Sequence, residues 1–324
     1  MRHFFGLFLL SVLLFSGCDS GKRQATPQPS VKPPLVPLAV PQFSKSEAFK
    51  YLTAQTDFGP RNPGSTGYQQ CLAYFQKELR RSADTVLLQQ FPYKSYKGES
   101  YVGTNLIARF NLFLNDRILL TAHWDSRPWA DQDADKANHS KPILGANDGA
   151  SGVAVLLELA RIFKSSPPPR GIDIVLYDGE DVGESGYAES FAQGSQYFAR
   201  HLPVGSNFRF AINLDMIGDK NLEIKREANS DSYAPNVMDL VFSTARLLGI
   251  NQFSDERVGG IYDDHMPLNN ANIPAIDLID FNYPDDSNRY WHTTQDTPDK
   301  CSPESLDAVG TVLLNVLYGQ GSGS

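Results

Sequence analysis

The chain has 324 residues, of which 41% are apolar, 11% aromatic and 20% charged, a composition that supports a packed core and excludes a disordered or fibrous chain. Its formal charge is −8, and −9 once the first 17 residues with Arg2 are set aside, so the surface repels polyphosphates and nucleic acid is excluded as a partner. No repeat at solenoid spacing is found, which excludes a repeat array.

The N-terminus reads as an address. Arg2 and His3 precede an apolar run over 4–15, followed by Ser16, Gly17 and Cys18: a positive start, an apolar stretch and small residues before a cysteine. The run is shorter than the ~20 residues a helix needs to cross hydrocarbon, so residues 1–17 are expected to be a signal peptide. Its end resembles a bacterial lipobox, which implies lipidation of Cys18; ordinary signal cleavage is the alternative. Prolines at 27, 29, 33, 34, 37 and 41 make 18–43 an extended tether behind that cysteine. The expected location is therefore outside the cytoplasm, lipid-anchored at the periplasmic face of a bacterial membrane. Cys71 and Cys301 remain as an even pair in a compartment that permits a disulfide. Residues 320–324 form a Gly/Ser tail, expected to be flexible.

Ser44 and Glu47 form a capping-box pattern that opens a helix over 44–56, and Ser65 caps a second over 65–81. Strand patterns follow at 85–93, 101–110, 117–122, 172–177, 208–214 and 275–279, several of them apolar throughout and so buried on both faces. Helical patterns fall at 152–164, 193–201, 235–248 and 302–317. The alternation predicts one domain over 44–319 in the α/β class, a three-layer α/β/α sandwich around a mostly parallel, mixed central sheet.

In open α/β sheets ligands bind beyond the carboxyl ends of the strands, so the segment after each buried strand carries the chemistry. The strand at 117–122 runs into His123-Trp124-Asp125, that at 172–177 into Asp178-Gly179-Glu180-Asp181, and that at 208–214 into Asp215. A glycine-rich turn before the helix at 152–164 supplies Asp148, and a late loop supplies Trp291-His292. Alone, Asp148 reads as a helix cap and His292 as a surface histidine. Glu180 and Asp181 resist such a reading, because adjacent carboxylates at the end of a buried strand repel unless a cation or proton intervenes. With Asp148, Asp181 and His292 as ligands, a Zn²⁺ site keeps an open fourth position, and Glu180 beside it can move protons. Trp124 and Trp129 flank the His123 segment, either at a pocket mouth or packed in the core.

His123-x-Asp125, Asn147-Asp148-Gly149, Asp178-Gly179-Glu180-Asp181, Leu214-Asp215 and Trp291-His292-Thr293 together resemble the zinc-dependent aminopeptidase superfamily over nearly the whole domain. Through Asp263-Asp264-His265 and Tyr290-Trp291-His292-Thr293 the chain is most similar, within it, to the animal-type glutaminyl cyclases found in Bacteroidetes bacteria. That resemblance implies one Zn²⁺ on Asp148, Asp181 and His292, acid/base chemistry at Glu180 with Asp215 and Asp263 as supporting carboxylates, and substrate contacts from Trp291 and Tyr283. It implies closure of N-terminal glutamine to pyroglutamate with release of ammonia, in peptides and exported proteins, by a monomer that touches the membrane only through its lipid.

Departures are visible too. Asp181 stands where the animal enzymes have glutamate, Asp277 where they have histidine, and no tryptophan soon follows Asp181. His123 and Asp215 occupy positions that hold a second zinc in two-zinc peptidases. An aminopeptidase, and an inert binding domain on the same fold, therefore stay open as alternatives. Asp263 separates the first of these, because related aminopeptidases carry serine there, although a helix cap is its plain reading. His265 is either a supporting residue or packed against the following helix.

Overall fold

The computed structural model describes residues 39–319; the expected signal peptide, Cys18, most of the tether and the 320–324 tail lie outside the described residues. The described residues form one compact unit. Ser44 caps α1 (Lys45–Asp57) by accepting from the Glu47 N–H, and Ser65 caps α2 (Thr66–Ser82) by accepting from Tyr68. There follow β1 (Thr85–Lys94), β2 (Ser100–Phe110), β3 (Arg117–His123), α3 (Ala150–Ser165), β4 (Gly171–Tyr177), α4 (Gln193–Arg200) and β5 (Phe208–Asp215). The rest comprises β6 (Ile224–Glu227), α5 (Ala228–Tyr233), α6 (Pro235–Leu248), β7 (Phe253–Val258), α7 (His265–Asn270), β8 (Ala275–Ile279) and α8 (Pro303–Gly319). Every strand and helix expected from the sequence is present. The additions are β6, β7, α5 and α7, none longer than 6 residues and all too short to show a periodicity.

The main sheet runs β1-β2-β4-β3-β5-β8, and β6 pairs with β7 separately. β2 lies antiparallel between β1 and β4, whereas β4, β3, β5 and β8 are parallel, the mixed sheet expected. β3, β4 and β8 are buried at every residue, which explains their mostly apolar sequences; the exceptions inside them, among them Asp173 and Asp277, are buried and held by partners. Ile118, Leu120 and Ala122 of β3 pack with side chains of α1, α2, α3, α6 and α8 in the larger core, while Leu119 packs with Phe198 of α4 and Leu268 of α7 on the other face. Parallel register aligns the strand ends: His123 pairs with Tyr177, and Asp215 with Ile279. Residues that follow β3, β4, β5 and β8 therefore meet at one edge.

Cys71 and Cys301 are both free and buried, so the disulfide that the sequence left open is not formed. Cys71 packs between α2 and α1 with its thiol on the Gln55 carbonyl at 3.5 Å, whereas Cys301 bridges by backbone to Asp219. Among the described residues no helix is long and apolar enough to cross a membrane.

Candidate functional site

The turn after β4 is fixed by a carboxylate from the turn after β3. Asp125 accepts the backbone N–H of Glu180 at 3.1 Å and of Asp181 at 3.2 Å, so both acidic side chains leave from a clamped backbone. Asp125 is buried and engaged in this way, which gives it a positioning role that the motif alone did not reveal. Asp178, at the strand end, accepts from the Tyr68 hydroxyl at 2.5 Å and the Thr104 N–H at 2.6 Å; burial, reinforced by Asp125, pushes its pKa up to about 8.

Asp148 is not spent as a cap. Gly149 is the N-cap of α3 and no side chain caps that helix, which leaves the Asp148 carboxylate for another use. The turn is held from below by Asp296, whose carboxylate accepts from Asn147 N at 2.9 Å, Asp148 N at 3.2 Å and the Tyr283 hydroxyl at 2.8 Å. A Cβ at Gly149 would stand closer than 3.0 Å to the His123 ring and carbonyl, so only glycine lets the turn approach β3. His292 has φ of 53°, a left-handed conformation uncommon outside glycine that here places the imidazole in the site.

Asp148, Asp181 and His292 come from three distant segments, and one donor atom of each lies within 4.8 Å of the others. His292 Nε2 is 3.1 Å from Asp181 Oδ1 and 3.6 Å from Asp148 Oδ2. The Oδ2 atoms of Asp148 and Asp181 are buried and accept no hydrogen bond. Buried carboxylate oxygens without donors are costly, and an imidazole nitrogen facing them completes a set that suits a divalent cation. Behind His292, Asp131 Oδ1 lies 3.8 Å from Nδ1, and Asp131 is in turn gripped by Arg127 through two contacts of 2.7 Å. Arg127 also donates to Asp181 Oδ1 at 3.0 Å, orienting two members of the set at once. A second group shares Asp148: His123 Nε2 is 3.1 Å from Asp148 Oδ1 and 3.2 Å from Asp215 Oδ1.

Residues 105–317 match peptidase family M28. The chain belongs to that family. The solved glutaminyl cyclase of Bacteroides thetaiotaomicron bound to N-acetylhistamine is 40% identical, with a TM-score of 0.84 over 87% of this chain and 100% of that one. Glutaminyl-peptide cyclotransferase of Bothrops jararaca is 23% identical over 80% of this chain and 78% of its own length. Aminopeptidase YwaD of Bacillus subtilis is 27% identical over 63% of this chain, which spans 41% of that longer protein. The resemblance to glutaminyl cyclases read from the motifs thus holds at the level of the whole domain.

In this M28 chain the carboxylates are sorted by their surroundings. Burial pushes Glu180 well above the usual carboxylate range, reinforced by Asp181, Asp263 and Asp264 and opposed by His123. Burial, with Asp263, lifts Asp215 to about 7 against the hydrogen bond from His123. For Asp181 burial also raises the pKa, but His292 and Arg127 outweigh it and hold the group below its ordinary value. Asp181 is thereby kept as an anion and Glu180 as a group that can hold a proton. Asp263 is not a helix cap, since Asp264 is the N-cap of α7; its Oδ2 accepts from Asn213 Nδ2 at 3.1 Å, and the same amide reaches Asp277 Oδ1 at 3.1 Å. His265 is buried behind this network, 3.4 Å from Glu227 and 3.8 Å from Asp277, and is absent from the pocket wall.

The M28 site opens into a cavity of about 350 Å³. Asp148, Glu180, Asp181, Asp215, Asp263 and His292 form its polar end, and Phe191, Ile261, Ile279, Phe281 and Trp291 its apolar wall. Trp291 stacks on His292 with ring centroids 3.7 Å apart and meets Phe281 edge-on at 5.0 Å. Tyr283, expected to touch substrate, does not line the cavity: it is fully buried and its hydroxyl is spent on Asp296, so it supports the Asp148 turn instead. Trp124 and Trp129 also stay out of the wall. The Trp124 indole donates to Thr104 O under Tyr68, and Trp129 packs on Tyr96 and Lys97. Asp131, Asp296, Phe191 and Phe281 were missed in the sequence. Each is a lone residue in a loop, and nothing local distinguishes it from a solvated acid or a packed aromatic.

Proposed function

We propose that this chain is a zinc-dependent glutaminyl cyclase that converts the N-terminal glutamine of exported peptides and proteins to pyroglutamate with release of ammonia. One observation carries the reading: Asp263 stands in the cavity wall with Glu180 and Asp215, beside a ligand set of Asp148, Asp181 and His292, in a space suited to one side chain. The relatives at 40% identity include a glutaminyl cyclase, which supports it.

When bound at that set, Zn²⁺ polarises the side-chain amide of glutamine and offsets charge developing on its oxygen. Trp291 and Phe281 pack against the aliphatic part of the substrate and exclude water. Glu180 takes a proton from the α-amine, whose nitrogen bonds to the side-chain carbonyl carbon. The bond from that carbon to the amide nitrogen then breaks, and Glu180 delivers the proton to the departing ammonia. Asp263 and Asp215 keep Glu180 able to hold the proton between the two transfers. Because nucleophile and electrophile belong to one residue, orientation in the cavity supplies much of the acceleration.

A glutamine-headed peptide incubated with the protein, with and without chelator, should lose ammonia and nothing else, and zinc should restore a chelated sample. The second group around His123 and the similarity to an aminopeptidase favour one rival, a two-metal hydrolase. Release of free glutamine in the same assay, with two metals per chain, would establish that rival. Lipidation at Cys18 and a periplasmic location belong to the same proposal, supported by the N-terminal sequence, and so does a monomeric state.

A further inference from the structure

At the end of the sheet opposite the cavity, two loops present bare apolar tips. Phe113, between β2 and β3, is 99% exposed, and Val204, between α4 and β5, is 96% exposed; Leu112, Leu114 and Leu202 beside them are exposed too. Single exposed apolar side chains are ordinary, but five on neighbouring loops are not.

The tips are held, not loose. Arg109 donates to the carbonyls of Val204 at 2.9 Å and Gly205 at 3.1 Å, and Arg117 donates to those of Asn111 at 3.1 Å and Leu114 at 3.0 Å. Both guanidinium groups meet the fully buried Asp173, so one Arg-Asp-Arg cluster ties the two loops to each other and to the sheet. Burying three charged groups is expensive. Here that expense fixes the backbone of segments whose foremost side chains, Phe113 and Val204, are left almost wholly bare. Cations rim the same end: Arg209, at the start of β5, and Arg170, before β4, share Asp116, and the exposed Lys164 lies in the last turn of α3.

We propose that these loops form a docking surface for a lipid bilayer, on which the domain rests through Phe113 and Val204 while the cavity faces away. The proposal rests on the lipid anchor included in the proposed function. A tether of about 20 proline-rich residues spans up to ~60 Å, enough to let either end of the domain reach the bilayer. Anchoring turns weak insertion of a few apolar side chains into an intramolecular event, so a small patch suffices. The strands of 7 residues between patch and site set them more than about 20 Å apart, which keeps the cavity open to exported chains.

The test uses residues 37–324, which the cyclase relative of known structure shows to be a self-sufficient unit, its whole chain being matched by 87% of this one. Flotation with vesicles of phosphatidylethanolamine and phosphatidylglycerol should show a bound fraction, and Phe113→Ser and Val204→Ser should each lower the partition coefficient about tenfold. When the domain is coupled to maleimide lipid through an added N-terminal cysteine, hydrogen exchange should slow at 111–114 and 202–205. Equal partitioning of the variants, or protection confined to other segments, overturns the proposal. So does concentration-dependent self-association abolished by the same substitutions, which would assign the patch to a second copy. Turnover of a glutamine-headed peptide by the parent and both variants should be equal. A parent that binds vesicles but lacks that turnover defeats the cyclase reading and leaves the surface standing.

Discussion

Glu180 illustrates how much one position depends on its neighbours. Replacing it with glutamine keeps the shape and removes the proton carrier, so Glu180→Gln should lose turnover by at least ~100-fold while metal content, read by mass spectrometry, stays at the parent level. His292→Ala should do the reverse, losing metal first and activity with it. The pH dependence follows from the raised pKa of Glu180. Glu180 must be deprotonated to accept the amine proton, so kcat/KM should rise with pH along a limb well above the ordinary carboxylate value of 4.5. Asp263→Asn removes one negative neighbour that favours the protonated acid, so that limb should move to lower pH. A limb that stays in place would separate Asp263 from Glu180. Trp291→Ala strips the stacked wall beside His292, and its main effect should be a raised KM.

Among the elements, the turn into α3 and the short helix α5 do the positioning. Gly149→Ala forces a Cβ into the His123 ring, so Asp148 must shift; metal affinity should fall at least ~10-fold, read by competition with a chelating dye, with the fold intact by circular dichroism. Glu227 caps α5 by accepting from Asn229 N at 2.7 Å and Ser230 N at 2.6 Å, and also holds the N–H of Ile261, a cavity wall residue, at 2.8 Å. Burial would raise its pKa, but hydrogen bonds from His265, Ser230 and the backbone outweigh it and bring it to about 2, against an ordinary 4.5. The folded state therefore binds fewer protons than the unfolded one. This contribution is complete above pH 4.5 and is lost as pH falls through about 2. Glu227→Gln should lower Tm at neutral pH, and the difference from the parent should shrink on acidification across that window. A constant difference would remove Glu227 from acid sensitivity.

For the whole molecule, the parallel strands decide where everything goes. Ligand groups after β3, β4, β5 and β8 gather at one edge, and the loops entering β3 and β5 gather at the other. A cation held between Asp148, Asp181 and His292 would join three segments far apart in the chain, a site that only the folded state assembles. Chelation should therefore lower Tm by several degrees and zinc should restore it, since a ligand specific for the folded state stabilises by mass action. An unchanged Tm would place the metal outside this set.

The sequence by itself determined the sandwich and the edge that carries the chemistry. Apolar runs long enough to mark buried strands ended each time in acids or histidine, and Glu180-Asp181 could not sit together without a cation or proton. It also suggested Asp148, Asp181, His292 and Glu180 as one site, because each stands in a short recognisable motif, and the resemblance to glutaminyl cyclases added Asp263. What only the tertiary structure decided depends on partners distant in the chain. Asp125 clamping the β4 turn, Asp131 standing behind His292, and Asp296 drawing Tyr283 away from the substrate all arise from contacts between loops. A loop residue carries no periodic signal, and the hydrogen bond that fixes its role appears only when the folded backbone brings its partner near.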